Sequence, residues 1–228
     1  MAGLGVVLGS GAAGLDVAGA ATVVDRHGEP YALPHLIDHE RNLRSLLDAG
    51  CDRVLGIASV GGLRPELGPG TYVCPDDFIA LDLPPLTTRS DAGAHRVPGF
   101  DPEWRARVLA AFADEAAIRD GGVYWQEAGP RLETAAEVRL VAEHADVIGM
   151  TVAAECVVAG ELGLAYAAIC VVDNLANGVA ANELTLAEVE AGQAAHRAEL
   201  ARVLSAACLL YTSPSPRDRQ RSRMPSSA

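Results

Sequence analysis

The chain contains no lysine: all 18 of its basic residues are arginine. A Schiff base formed by a lysine amine is therefore excluded as a covalent route. Aromatic residues supply only 4% of the 228 positions, so alanine, valine and leucine must fill any core. Positive charge is also scarce. A net charge of -12 argues against a broad nucleic-acid surface, which wants a basic patch, but leaves room for one small anion held by a few groups. The five cysteines (51, 74, 156, 170 and 208) form no CxxC pair. Most sit in apolar runs and read as reduced core residues of a cytoplasmic protein, not as a disulfide frame or a metal cluster. No run reaches the ~20 apolar residues of a membrane span. The opening MAGLGVVLGSGAAG lacks a positive n-region and is broken by glycines, so it reads as strand and loop, not as a signal peptide.

What is present is a steady alternation of strand and helix patterns, which predicts one α/β domain with a largely buried sheet. The richest stretch runs from Tyr124 to Asn177. It holds a Gly129-Pro130 turn, a helix with Thr134 and Glu137 spaced as a capping box, and two buried strands separated by a second helix. Met150 and Thr151 close the first of those strands, and Asp173 and Asn174 close the second. Ligands of open α/β sheets bind outside the carboxyl ends of strands, so Glu133, Met150, Thr151 and Asn174 are expected around one site.

Upstream, the strand LGVVL (4–8) leads into Gly9-Ser10-Gly11-Ala12-Ala13-Gly14, a GxGxxG pattern. A dinucleotide fingerprint needs a crossover helix and an acid about 20 residues on. Only ten residues separate Gly14 from Asp25, so a loop that holds an anion through Ser10 and backbone N–H groups fits better. Arg26 and His27 follow the strand TVV, where an arginine fork suits a phosphate. A helix is predicted over 38–49, capped by Asp38, with Leu43, Leu46 and Leu47 inward and Gly50 as its stop. A strand over 53–58 meets Ser59-Val60-Gly61-Gly62-Leu63, whose paired glycines let backbone approach a ligand closely. Residues 82–100 read as a long loop, and a helix is predicted from Asp101 to about Arg119. The last helix begins at a second capping box, Thr185 with Glu188, and places Val189, Leu200, Val203 and Leu204 in the core. The domain is assigned to 1–208. The Ser, Pro and Arg-rich segment 209–228 resembles translated adapter sequence and is expected to be disordered.

Five segments in order resemble the purine nucleoside phosphorylase and methylthioadenosine phosphorylase family: VLGSG, RHG with HERNLRSLLDAG, ASVGGLRPELGPGTYVCPDDFI, GPRLETAAE, and ADVIGMTVAAE with the strand ending in Asp173-Asn174. The resemblance implies a three-layer αβα sandwich with a central mixed, largely parallel sheet. It also implies a homotrimer or homohexamer that splits a nucleoside with phosphate into free base and pentose 1-phosphate. Inorganic phosphate is then a co-substrate and no cofactor or metal is needed. By position, Ser10, Arg26, His27, the Ala58 backbone and Thr151 would hold phosphate. Met150, and less directly Tyr31, would pack on the ribose. Glu133 would accept from the N1-H side of the purine, and Asn174 would hydrogen-bond N7 and O6. Glu133 with Asn174 is the pairing of members acting on inosine and guanosine, whereas members acting on 6-aminopurines tend to carry Asp at the second place.

The chain departs from the family in several places. The segment before Arg26 is short, Leu132 stands where Phe is usual, Ala154 replaces a Pro, and no histidine matches the one that contacts the sugar's 5′ end in some members. His95 is a candidate to reach a neighbouring subunit's site. The alternatives are a methylthioadenosine phosphorylase, against which Asn174 argues, and a non-catalytic nucleoside-binding protein.

Overall fold

Apolar alternation along the long strands decides the architecture. In the computed structural model, which describes residues 3–81, 87–180 and 184–212, Leu4, Val6 and Leu8 of β1 (Gly3–Leu8) join one core while Val7 joins another. β3 (Cys51–Gly62) and β9 (Ala165–Leu175) repeat the pattern. Leu55, Ile57, Ala167, Ile169 and Val171 belong to the first core, and Val54, Val60, Ala168, Cys170 and Val172 to the second. Successive residues of a strand point to opposite faces, so this sheet is apolar on both sides and needs helices on both. α2 (Pro102–Phe112) and α5 (Leu186–Thr212) cover one face with Trp104, Val108, Phe112, Leu200, Val203 and Leu204. α1 (His39–Asp48) and α4 (Val152–Glu161) cover the other with Leu43, Leu46, Val152 and Cys156. The result is a three-layer αβα sandwich, as the resemblance implies.

The remaining strands are β2 (Thr22–Asp25), β4 (Tyr72–Cys74), β5 (Asp77–Ile79), β6 (Ile118–Asp120), β7 (Val123–Gln126) and β8 (Val147–Gly149). The order is β5-β7-β8-β3-β9-β4-β6, with β1 paired to β3 and β2 to β1. Among the described residues β3–β8 and β4–β9 are antiparallel and the other pairs are parallel. β3 holds the sheet together: it pairs along its length with β9, with β1 over its first half, and with β8 at Gly61 and Gly62.

Several boundaries differ from the sequence reading. β3 runs past the expected end at Ala58 through Ser59-Val60-Gly61-Gly62, because β9 and β8 offer partners there. α2 stops at Phe112, and β6 occupies part of the predicted helix by pairing in parallel with β4. That edge pairing has no local signal. Leu47 is exposed, since α1 buries only the Leu43–Leu46 stripe. α5 continues to Thr212, past the boundary drawn at Leu209; residues 213–228, and 82–86 of the long loop, lie outside the described residues. Both capping boxes form. Thr134 and Glu137 exchange bonds at the start of α3 (Ala135–Val141), and Thr185 and Glu188 do so before α5. All five cysteines are buried free thiols. Among the described residues no helix is long and apolar enough to cross a membrane.

Candidate active site

The carboxyl ends of β1, β3, β8 and β9, with the loop after β2 and the first turns of α5, enclose a cavity of about 480 Å³. Its lining includes Ser10, Arg26, His27, Tyr31, Glu133, Met150, Thr151 and Asn174. Residues far apart in the chain, each singled out from sequence, thus meet in one cavity. Ala58 does not line it. Its side chain is buried in the core shared with α1 and α4, and the residues after it on β3, Ser59, Val60 and Gly61, line the cavity. His95 sits exposed after a 3-10 turn over Ala92–Ala94 and is not among the lining residues.

One end of the cavity gathers a buried guanidinium and several hydroxyls. Arg26 is buried and its guanidinium is held in a fork: Nε donates to Glu155 Oε1 at 2.5 Å, Nη2 to Oε2 at 2.9 Å, and Nη1 to the Ile57 carbonyl at 2.8 Å. A side chain at Gly9 would collide with Nη1, which accounts for glycine at the end of β1. Glu155 is 1% exposed and also accepts from Tyr166 Oη at 2.7 Å. Burial alone would raise the Glu155 carboxyl, but the Arg26 charge, the Arg26 bonds and the nearby His39 outweigh it and hold it down at about 2. Three of the five Arg26 N–H protons are thus committed within the fold, leaving two for a ligand.

His27 stacks on Tyr31 with ring centroids 4.4 Å apart, and its Nδ1 lies 2.8 Å from the Ala32 carbonyl. A carbonyl only accepts, so Nδ1 carries a proton. Burial, with a further push from Arg26, lowers the His27 pKa, so Nε2 of the neutral ring is an acceptor until an anion draws a proton onto it. Thr151 precedes α4, and its hydroxyl makes no capping bond. Ser10 and Ser59 complete this end.

The other end carries Glu133 and Asn174. Glu133 is buried, and burial, with Glu127 and Glu137 adding to it, raises its pKa. Asn174 Nδ2 donates one proton to the Leu175 carbonyl at 2.9 Å, which orients the amide and leaves its second N–H. Asp173, its neighbour on β9, is not among the lining residues and accepts from the Ser59 hydroxyl. Between the ends, Met150 packs against Gly129, and Leu132, Leu184, Leu186 and Val189 add apolar wall. Val189 therefore serves the cavity, not the core.

Sequence reasoning missed Glu155, Ser59 and Gln193. A lone carboxylate inside the apolar run VAAECVVA was a readable sign of a buried partner. Gln193 carried no such sign.

A family model described as the phosphorylase superfamily matches residues 13–208. The chain is 38% identical over 180 residues to a probable 6-oxopurine nucleoside phosphorylase from Archaeoglobus fulgidus, covering 77% of this chain and 72% of that one. It is 37% identical over 194 residues to a probable S-methyl-5′-thioinosine phosphorylase from Pseudomonas syringae pv. tomato, covering 79% of each. Its fold is similar to that of the methylthioadenosine phosphorylase from Schistosoma mansoni solved with adenine, with a TM-score of 0.77 at 18% identity over 98% of this chain and 96% of that one. The chain belongs to the phosphorylase superfamily and is a pentosyltransferase of the nucleoside phosphorylase type.

Proposed function

We propose that the chain splits 6-oxopurine nucleosides with inorganic phosphate. The observation that carries this reading is the pairing of an anion-holding end (Ser10, Arg26, His27, Thr151) with the Glu133–Asn174 end in one cavity. In the reaction, a phosphate oxygen attacks C1′ of the sugar as the C1′–N9 bond breaks. The electron pair of that bond leaves with the purine, which takes up a proton. The products are the free base and a pentose 1-phosphate. The sugar passes through an oxocarbenium-like state. The nucleophile is the bound phosphate itself, so the protein's part is placement and electrostatics. Asn174 donates to the purine as negative charge builds on it, and being uncharged it does so without repulsion. Ionised Glu133 accepts the N1–H that inosine and guanosine have and adenosine lacks. A site built on such a bond rejects the analogue without it strongly.

A second reading concerns the sugar's 5′ end. Leu184, Leu186 and Val189 line the cavity, and none of the lining residues of α5 is a histidine. Such a wall favours a 6-oxopurine nucleoside bearing a 5′-methylthio group over one bearing a hydroxyl, in line with the name of the Pseudomonas relative. A homotrimer or homohexamer belongs to the same proposal and would cover the exposed Tyr31, Leu36 and Leu186. A cytoplasmic site of action suits the free thiols.

The test is base release from inosine, guanosine, adenosine, methylthioadenosine and methylthioinosine, each with and without phosphate. Phosphate-dependent release from the 6-oxopurine substrates is expected, and the 5′ reading adds a preference for methylthioinosine. Preference for the 6-aminopurines would overturn the role given to Asn174. Binding without cleavage would make the chain a nucleoside-binding protein.

A further inference from the structure

Two hydroxyls at the Arg26 end of the cavity, Ser10 in the 3-10 turn after β1 and Ser59 on β3, share one partner. Gln193 of α5 places Nε2 at 3.0 Å from Ser10 Oγ and 2.9 Å from Ser59 Oγ. A primary amide nitrogen carries two protons, whereas a hydroxyl has one proton and two acceptor positions. Both amide protons are therefore spent on the serine oxygens, and each serine keeps its own proton to give elsewhere. Ser59 gives its proton to Oδ2 of the buried Asp173. Ser10 Oγ has Gln193 as its one hydrogen-bond partner among the described residues, and it lines the cavity.

We propose that Gln193 is a positioning residue for phosphate: by donating to Ser10 and Ser59 it turns the Ser10 hydroxyl into an obligatory donor toward the anion. The surrounding structure is arranged to keep it there. Gly192 lets α5 lie against the Asp173 carbonyl, where any side chain would collide. One turn beyond Gln193, Arg197 donates to the carbonyls of Gly11 at 3.2 Å and Ala13 at 2.6 Å, so the glycine-rich loop is fastened to the same helix. On the far side of Asp173, His196 Nδ1 stands 3.6 Å from Oδ1. The loop, the two serines and α5 thus form one unit around the anion. A carboxylate in place of the Gln193 amide would reverse the arrangement: it would accept both hydroxyl protons and add a negative charge.

The inference rests on the phosphorolysis reading, and direct titration with inorganic phosphate separates the two. Wild type, Gln193→Met and Gln193→Glu are compared by calorimetric phosphate binding, by KM for phosphate and for nucleoside, and by melting temperature. The expected result is phosphate affinity weaker by about tenfold in Gln193→Met and by about a hundredfold in Gln193→Glu, with nucleoside KM within about twofold. Unchanged phosphate affinity in both variants overturns the proposal. So does an equal loss of phosphate and nucleoside affinity, which a merely structural residue would produce. A wild type that binds phosphate but never cleaves overturns phosphorolysis alone, and one that binds no phosphate removes both.

Discussion

Glu155→Gln is the substitution with the largest consequence that the structure allows to be worked out. Arg26 and Glu155 are 2% and 1% exposed and are joined by two bonds of 2.5 and 2.9 Å, with Tyr166 Oη donating to the same carboxylate. The amide keeps the volume but offers one acceptor oxygen where there were two, and turns an N–H toward Arg26 or Tyr166. It also leaves the Arg26 charge buried without its counter-ion. Removing one member of a buried pair costs about 3–5 kcal/mol. At roughly 2–4 °C per kcal/mol for a domain of this size, the melting temperature should fall by about 6–20 °C. The assay is urea unfolding at pH 7, followed by far-ultraviolet circular dichroism.

A pH series adds a second check. The folded Glu155 carboxyl is held at about 2 against an ordinary 4.5, so its stabilising contribution is complete above 4.5 and is lost as pH falls toward 2. The stability gap between wild type and variant should therefore close on acidification through that window. A loss below about 1 kcal/mol at pH 7, where breaking a buried pair should cost several, would refute the account of the pair. A gap that stays constant from pH 5 down to the acid limit of folding would refute it equally.

Two further predictions concern the base end. Asn174→Asp should lower kcat/KM for inosine by about 10²–10³, the loss typical of one oriented donor at a site of developing negative charge, with folding unaffected by urea titration; an undiminished rate would remove Asn174 from the mechanism. Glu133 must be ionised to accept N1–H and its pKa is raised, so kcat/KM for inosine should hold at higher pH and fall as pH drops through that raised value. In Glu133→Gln the rate should be low throughout and this acid limb should vanish; a limb that persists assigns the titration to another group.

The local elements of this protein were legible because their causes are local. The Asp38 cap, both capping boxes and the stop at Gly50 each depend on residues within a turn of one another. The buried strands announced themselves by composition, and the five ordered segments carried the family and most cavity residues. What needed the tertiary structure were relations between distant residues. β6 is a strand only because β4 lies beside it, and β3 extends through two glycines because β8 and β9 accept its backbone. Only the folded sheet shows that Ser59, Val60 and Gly61 line the cavity in succession, and that Asn174 lines it while Asp173 bonds Ser59. The partner of Arg26 lies 129 residues along the chain and that of Ser10 lies 183 residues along. No period or propensity encodes such separations: side chains meet there because burial of two apolar sheet faces brings α4 and α5 to the same strand ends.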